Sequence, residues 1–260
     1  MFTSFEEIFE HLRSKSKKRL VAAWAVDDHT INAVRLAIEL GIVEGTLVGD
    51  ENMINAVCKE EGIDPSIFNI VHNESELKSI AQAVDIINAG EGDILMKGLC
   101  STDKYMRAIL KKEGGLLPPK AVLSHLSVLK NENYHKFIIL GDMAVIPAPD
   151  LKQKEAITNY LVKAAKALGI ETPKVAFIAA TEQMLPGMQV CVDAAILSKM
   201  ADRGQIKGCV ADGPLALDVA ISQEAVAIKK LKSPVAGDAD CLVFPNIESA
   251  NVFYKVNSQM

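Results

Sequence analysis

The 260-residue sequence lacks the features that mark membrane proteins and exported proteins. No apolar run approaches the roughly 20 residues that a membrane-spanning helix needs. The N-terminal stretch MFTSFEEIFEHLRSKSKKRL is an amphipathic pattern that contains acidic residues, and it does not have the apolar core of a signal peptide. We therefore expect a cytoplasmic protein without a membrane partner.

The sequence is also short of the residue patterns that hold metals, dinucleotides or nucleic acids. It contains five cysteines, an odd number without any Cys-x-x-Cys pair, so no zinc template fits. Its net charge is −5, whereas phosphate backbones select basic surfaces, and we expect no nucleic-acid partner. No Gly-x-Gly-x-x-Gly motif follows a predicted strand.

What the sequence does contain is a regular alternation of short apolar runs and amphipathic helical patterns. The runs have the length and composition of buried parallel strands, and Gly41 and Gly62 stand where helices are expected to end. The predicted strands of the first half cover residues 20–25, 43–48, 68–71 and 93–96. Such alternation is typical of an α/β protein with a parallel, doubly wound sheet.

The alternation of predicted strands and helices is interrupted after the glycine- and proline-rich linker at residues 113–119. Two predicted strands, 121–129 and 136–140, follow each other without a helix between them, which indicates an antiparallel pair and a new domain. We therefore predict two α/β domains, 1–116 and 117–260. In the second, the strand at 208–211 is expected to end in a turn at Asp212-Gly213-Pro214.

The first candidate site is the turn after the predicted strand at 93–96. Lys97 and Gly98 begin this turn, Ser101 and Thr102 open a helix, and Arg107 follows within that helix. Free backbone N–H groups at a helix N-terminus favour an anion, and the hydroxyls and cations add further donors. From the pattern alone, a phosphate site and an ordinary capped helix are equally good interpretations.

Two further candidates follow predicted strands of the second domain. Asp142 follows the strand at 136–140 after one glycine and is expected to orient backbone, while Asp150 is more simply a helix N-cap. The turn residues of the last candidate are Asp212, Gly213, Asp238, Asn246 and Asn251. The carboxylates of Asp212, Asp218 and Asp238 would suit a hard cation, but we favour helix capping and turn formation and predict no metal.

Four stretches, LMKGLCSTDKYMRAIL, AAILSKMADRGQIKG, DGPLALDVAIS and KSPVAGDADCLVFPNIESANVFYK, closely resemble the phosphate acyltransferases. Within that family they are more similar to the phosphate butyryltransferases than to the phosphate acetyltransferases. The resemblance implies a transferase that moves an acyl group between CoA and inorganic phosphate through a ternary complex. It also implies two α/β domains around a cleft, as in isocitrate and isopropylmalate dehydrogenases, a homo-oligomer, and CoA as a substrate without any permanently bound cofactor.

The resemblance also implies roles for individual residues. The turn at Lys97 would line the interdomain cleft, Arg107 would hold CoA, and Cys100 would line the cleft without acting as nucleophile, since the CoA thiol itself attacks. The predicted substrate-binding residues are Lys97, Gly98, Cys100, Ser101, Thr102, Arg107, Asp142, Asp212, Gly213, Asp238, Asn246 and Asn251.

The family's catalytic aspartate and Ser-Arg pair would fall beyond Met260. We therefore assign no catalytic residue, and we expect a truncated chain whose C-terminal return to the first domain is missing. The alternatives are a phosphate acetyltransferase, or a truncated or non-catalytic CoA-binding relative. A metal-dependent decarboxylating dehydrogenase is a weaker alternative, because the sequence has no nucleotide-binding glycine loop.

Overall fold

The computed structural model describes residues 1–259, which divide into two compact units. The N-terminal unit is Phe5–Ala121, and the C-terminal unit is Met1–Ser4 together with Val122–Met260. The division after Ala121 lies slightly beyond the predicted boundary at residue 116. Phe2 joins the C-terminal unit, because its N–H donates a 3.1 Å hydrogen bond to the carbonyl of Leu168.

The N-terminal unit is a parallel sheet with helices between its strands. Its strands lie in the order β3-β2-β1-β4 and all pairs are parallel. The elements are β1 (Lys18–Ala23), β2 (Val43–Gly49), β3 (Asn69–His72) and β4 (Ile94–Lys97), with α1 (Phe5–Arg13), α2 (Asp28–Glu39), α3 (Glu51–Glu61), α4 (Glu76–Asn88) and α5 (Thr102–Leu110). The predicted alternation is confirmed, and β1 is deeply buried from Leu20 to Ala23, because both faces of this central strand are covered.

The C-terminal unit is a mixed sheet in the order β5-β6-β9-β7-β8. Its elements are β5 (Leu126–Lys130), β6 (Phe137–Gly141), α6 (Leu151–Ala167), β7 (Lys174–Ile178), α7 (Gln189–Asp202), β8 (Val210–Leu215), α8 (Leu217–Ile221), α9 (Gln223–Lys229), β9 (Cys241–Val243) and α10 (Ile247–Gln259). The predicted antiparallel pair is confirmed, because β5 runs antiparallel to β6 while the other pairs are parallel.

Both faces of this sheet carry a buried apolar layer. Alternate residues of β6 point to opposite faces, so Ile138 and Leu140 pack in one layer and Ile139 in the other. Ile139 packs with Ile157 and Leu161 of α6. Among residues 1–259, no helix is long and apolar enough to cross a membrane.

The predicted turn at residues 212–214 is wrong, because these residues lie inside β8. Asp212 pairs with Ala176 of β7, and the strand continues to Leu215. A Cβ added to Gly213 would come within 2.7 Å of the Cβ of Phe177 and 2.8 Å of its carbonyl oxygen. Gly213 is therefore required for close packing of β8 against β7. The prediction was wrong because Asp, Gly and Pro are typical of turns, whereas here they lie in a strand.

Candidate functional site

In the N-terminal unit, the turns that follow β1 and β4 bond to each other. The Gly98 N–H donates to the carbonyl of Ala23 over 3.0 Å, and the Leu99 N–H donates to the carbonyl of Trp24 over 3.0 Å. A Cβ on Gly98 would lie 2.4 Å from the Trp24 carbonyl oxygen, a contact with backbone that cannot move aside. Gly98 therefore sets how closely the two turns approach.

A carboxylate from another helix occupies the N-terminus of α5. Ser101 is the N-cap residue, and its side chain makes no capping bond. Its N–H donates to the Glu76 carboxylate over 2.9 Å, and Lys104 forms an ion pair with the same carboxylate. The hydrogen bond from Lys104 and then the bond from Ser101 lower the pKa of Glu76. An anion thus already lies where the sequence predicted a phosphate.

Sequence reasoning missed Glu76. It is the first residue of α4, 25 positions before Ser101, and no local pattern connects the two. An acidic residue in the first turn of a helix is usually explained by the dipole of its own helix. Only the packing of α4 beside α5 shows that Glu76 serves a second helix.

The exposed polar residues of this turn include Lys97, Ser101 and Thr102, which are accessible to a ligand. The Lys97 ammonium donates a long, 3.3 Å hydrogen bond to the adjacent Gly98 carbonyl. Arg107 lies in the last turn of α5, so it stands more than one helical turn beyond Thr102. Its guanidinium pairs with Asp103 over 2.9 Å, and the Arg107 side chain is 79% exposed.

Cys100 requires a correction, because its side chain does not line an open surface. It is 4% exposed and packs in the apolar cluster that contains Val21 and Ile80. Burial raises the pKa of its thiol, more than Lys97 lowers it. The buried thiol agrees with the interpretation that Cys100 is not a nucleophile.

In the C-terminal unit, Asp142 organises the loop after β6. Its Oδ2 accepts bonds from the Ser124 hydroxyl over 2.9 Å and the His125 N–H over 3.1 Å. Its Oδ1 accepts bonds from the N–H groups of Ala144 and Val145 over 2.7 and 2.8 Å. The side chain is 2% exposed. Asp142 therefore joins the start of β5 to the loop after β6, as an orienting residue.

The two predicted asparagines lie at the same carboxyl edge of the sheet. Asn246 precedes α10, and its Oδ1 accepts a 3.0 Å bond from the Ser249 N–H. Asn251 donates from Nδ2 to the carbonyl of Met143 over 3.1 Å. The start of α10 is thereby attached to the loop that Asp142 organises, so these three predicted residues are brought together.

Asp238 lies at the opposite, amino edge of that sheet, ahead of β9. It forms ion pairs with Lys136 over 2.9 Å and Lys174 over 2.6 Å, and a 2.8 Å hydrogen bond joins its carboxylate to the His135 ring. Burial raises the pKa of Asp238, but the hydrogen bonds from Lys174 and Lys136 outweigh burial and hold this pKa below its ordinary value. The structure therefore does not bring Asp238 to Asp142, and its contacts explain it as part of a charge cluster.

Asp212 and Gly213 are held within β8 and do not stand free at a strand end. The Asp212 carboxylate accepts a 2.8 Å bond from the Gly213 N–H. Within residues 1–259, no three His, Cys, Asp or Glu side chains converge as metal ligands would.

Comparisons with known proteins agree with this architecture. Residues 76–260 match the phosphate acetyl/butaryl transferase family. The chain is 45% identical to phosphate butyryltransferase of Clostridium acetobutylicum, over 98% of this chain and 84% of that protein. It is 40% identical to phosphate acetyltransferase of Thermotoga maritima, over 96% of this chain and 84% of that protein.

A crystal structure of a branched-chain phosphotransacylase from Enterococcus faecalis V583 superposes with a TM-score of 0.81 at 28% identity, covering 93% of this chain and 84% of that one. The match of a family pattern to most of the chain and the two near-full-length relatives confirm the predicted family. This chain belongs to the phosphate acetyl/butaryl transferase family.

Proposed function

We propose that this protein moves a short acyl group between CoA and inorganic phosphate, with CoA as a substrate. The near-full-length similarity to phosphate butyryltransferases carries the proposal. Butyryl is the acyl group that we favour, so butyryl-CoA and phosphate give butyryl phosphate and CoA. Several further statements stay predictions. They are the cytoplasmic location, the homo-oligomer, the assignment of two domains at 1–116 and 117–260, and a dehydrogenase-like cleft between these domains.

Acyl transfer requires that the phosphate and the thioester be positioned for reaction and that the charge developing on the carbonyl oxygen be stabilised. In the direction of acyl phosphate formation, a phosphate oxygen attacks the thioester carbonyl, the C–O bond forms, the C–S bond breaks, and the CoA sulfur leaves and takes a proton. In the reverse direction the CoA thiol attacks the acyl phosphate and phosphate leaves. Donors must stabilise the oxyanion that develops on the carbonyl oxygen, and cations must hold the phosphate in line. The buried thiol of Cys100 supports direct transfer within a ternary complex, without an acyl-cysteine.

We assign the contacts with CoA or phosphate to Lys97, Ser101, Thr102 and Arg107, because these groups are exposed donors beside one turn. A second set shapes backbone instead of contacting substrate, and it comprises Gly98, Asp142, Asp212, Gly213, Asn246 and Asn251. Their hydrogen bonds within the protein support this division. We do not assign Cys100 or Asp238 to substrate binding.

Phosphate acetyl transfer is the second candidate, favoured by the acetyltransferase relative. The test is release of free CoA thiol from acetyl-, propionyl- and butyryl-CoA, with and without inorganic phosphate. We expect phosphate-dependent release that is fastest with butyryl-CoA. Fastest release with acetyl-CoA would favour the second candidate. Binding of CoA by calorimetry without any phosphate-dependent release would reject both and leave a non-catalytic CoA-binding protein.

A further inference from the structure

An apolar cavity of about 420 Å³ lies in the C-terminal unit, between the segment that enters β5 and one side of α6. We call it the α6 pocket. Its apolar lining includes Val122, Leu126, Ile157, Leu161 and Ala164. Ile157 and Leu161 form a fully buried floor, whereas Leu126 is 39% exposed at the opening. Cavities of this size and composition are typical of sites for small organic ligands.

One end of the α6 pocket is polar and belongs to the loop described above. Ser124 and His125 line the pocket, and both donate hydrogen bonds to Asp142. Asp142 in turn orders the backbone N–H groups of Ala144 and Val145 at the carboxyl edge of the sheet. The pocket therefore leads from a hydrogen-bonded polar edge into an apolar space.

The wall that closes the pocket is held by a specific contact. The Tyr160 hydroxyl of α6 donates a 2.8 Å hydrogen bond to the carbonyl of Val122. This bond ties the segment before β5 to the helix, so the apolar space is already formed without a ligand. A preformed space lowers the ordering cost of binding.

We propose that the α6 pocket receives the acyl chain of the thioester, and that Ala164 limits the chain length it accepts. This inference rests on the proposed acyl transfer, because an acyl-CoA combines a polar reacting group with a short apolar tail. The polar group would lie toward Asp142 and the tail toward Leu161. The side chain of Ala164 is a single methyl group, so a larger side chain at this position would occupy part of the α6 pocket.

The pocket predicts a dependence on chain length. Each methylene moved from water into an apolar site favours binding by about 0.8 kcal/mol, or about fourfold. Two added methylenes distinguish butyryl from acetyl, so kcat/KM for butyryl-CoA should exceed that for acetyl-CoA by about 15-fold.

The experiment compares the butyryl-to-acetyl ratio of kcat/KM in the native protein, in Ala164→Leu and in Ala227→Leu. Ala227 is an exposed alanine of α9 outside the pocket, so it serves as the matched control. We expect the ratio to fall about tenfold in Ala164→Leu and to stay unchanged in Ala227→Leu. An unchanged ratio in a folded Ala164→Leu protein overturns the inference, as does a native ratio at or below one. Absence of phosphate-dependent release from every acyl-CoA would instead refute the proposed function.

A second variant covers the case in which Ala164→Leu does not fold. Ala164→Cys is alkylated, and the modified peptides are measured by mass spectrometry with butyryl-CoA, with CoA, or with neither. Cys209, which is partly exposed, is the internal reference. We expect butyryl-CoA to slow alkylation at position 164 at least fivefold more than CoA does. Equal protection by the two ligands overturns the acyl-pocket assignment.

Discussion

The Glu76 carboxylate accepts a 2.9 Å hydrogen bond from the backbone N–H of Ser101 at the beginning of α5. A helix N-terminus attracts anions, and here the anion is the carboxylate of Glu76. Lys104, in the same helix, pairs with the other oxygen of that carboxylate. Any substrate anion that uses this helix end has to share it with Glu76 or displace it.

Replacing Glu76 with Gln should therefore lower the melting temperature at neutral pH. The pKa of Glu76 is lowered in the folded protein, so its ionised form stabilises the fold above the ordinary carboxyl pKa. This stabilisation is lost as the pH falls below about 4.5, and the native and Glu76→Gln melting curves should then converge. Thermal unfolding from pH 3 to 8 checks this, with Glu60→Gln, an exposed residue of α3, as control. A constant difference across that range would contradict it.

Gly98→Ala should destabilise the protein by about 1–3 kcal/mol, which is typical of forced overpacking. The added methyl would lie 2.4 Å from the Trp24 carbonyl and 2.7 Å from the Ala23 carbonyl. Denaturant unfolding measures the loss. Gly187→Ala is the matched control, because a Cβ there meets nothing within 4 Å. Equal stability of the two variants would show that the turns after β1 and β4 can separate without cost.

Asp142→Asn should cost about 2–4 kcal/mol of unfolding free energy, because an amide cannot accept four hydrogen bonds in place of a buried carboxylate. Its NH₂ group would face the donors that Asp142 now satisfies. Asp150→Asn in the same segment should change stability by less than about 0.5 kcal/mol, since asparagine is an equally good N-cap. Urea unfolding distinguishes them, and a nearly neutral Asp142→Asn would refute the organising role.

Arg107→Ala should raise KM for CoA about tenfold while leaving the melting temperature unchanged. The Arg107–Asp103 pair is exposed, so its loss costs little stability, whereas loss of a contact with a CoA phosphate removes roughly 1.4 kcal/mol of binding. Arg35→Ala removes a similar pair, with Glu39, from α2 and is the control. If both variants keep the native KM, Arg107 does not hold CoA.

Lys136→Met should destabilise the fold by about 3–5 kcal/mol, because it leaves two carboxylates, Asp238 and Asp240, without their buried cation. The kcat of the folded enzyme should not change, since this cluster lies at the amino edge of the sheet. Lys199→Met, which removes an exposed pair with Asp202, should cost less than about 0.5 kcal/mol. A large loss of kcat in folded Lys136→Met would return Asp238 to the list of substrate residues.

Much of the secondary structure follows from the sequence because its causes are local. Gly62 ends α3 in the left-handed conformation, as glycine after a helical pattern predicts. Asp150 caps α6 and forms a capping box with Gln153. No helical pattern lies between the predicted strands 121–129 and 136–140, and this correctly indicated that β5 and β6 are antiparallel. Each of these features depends on residues a few positions apart.

The composition of the site was decided by tertiary structure. Strand order β5-β6-β9-β7-β8 puts Asp142 and Asn251 at one edge of the sheet and Asp238 at the other, although Asp142 and Asp238 both lie in polar turns beside a strand. Strand pairing between distant segments determines that order, and no local pattern encodes it. Likewise, the amphipathic sequence of α5 determined a helix, but only the packing of α4 beside it decided that Glu76 would occupy its N-terminus.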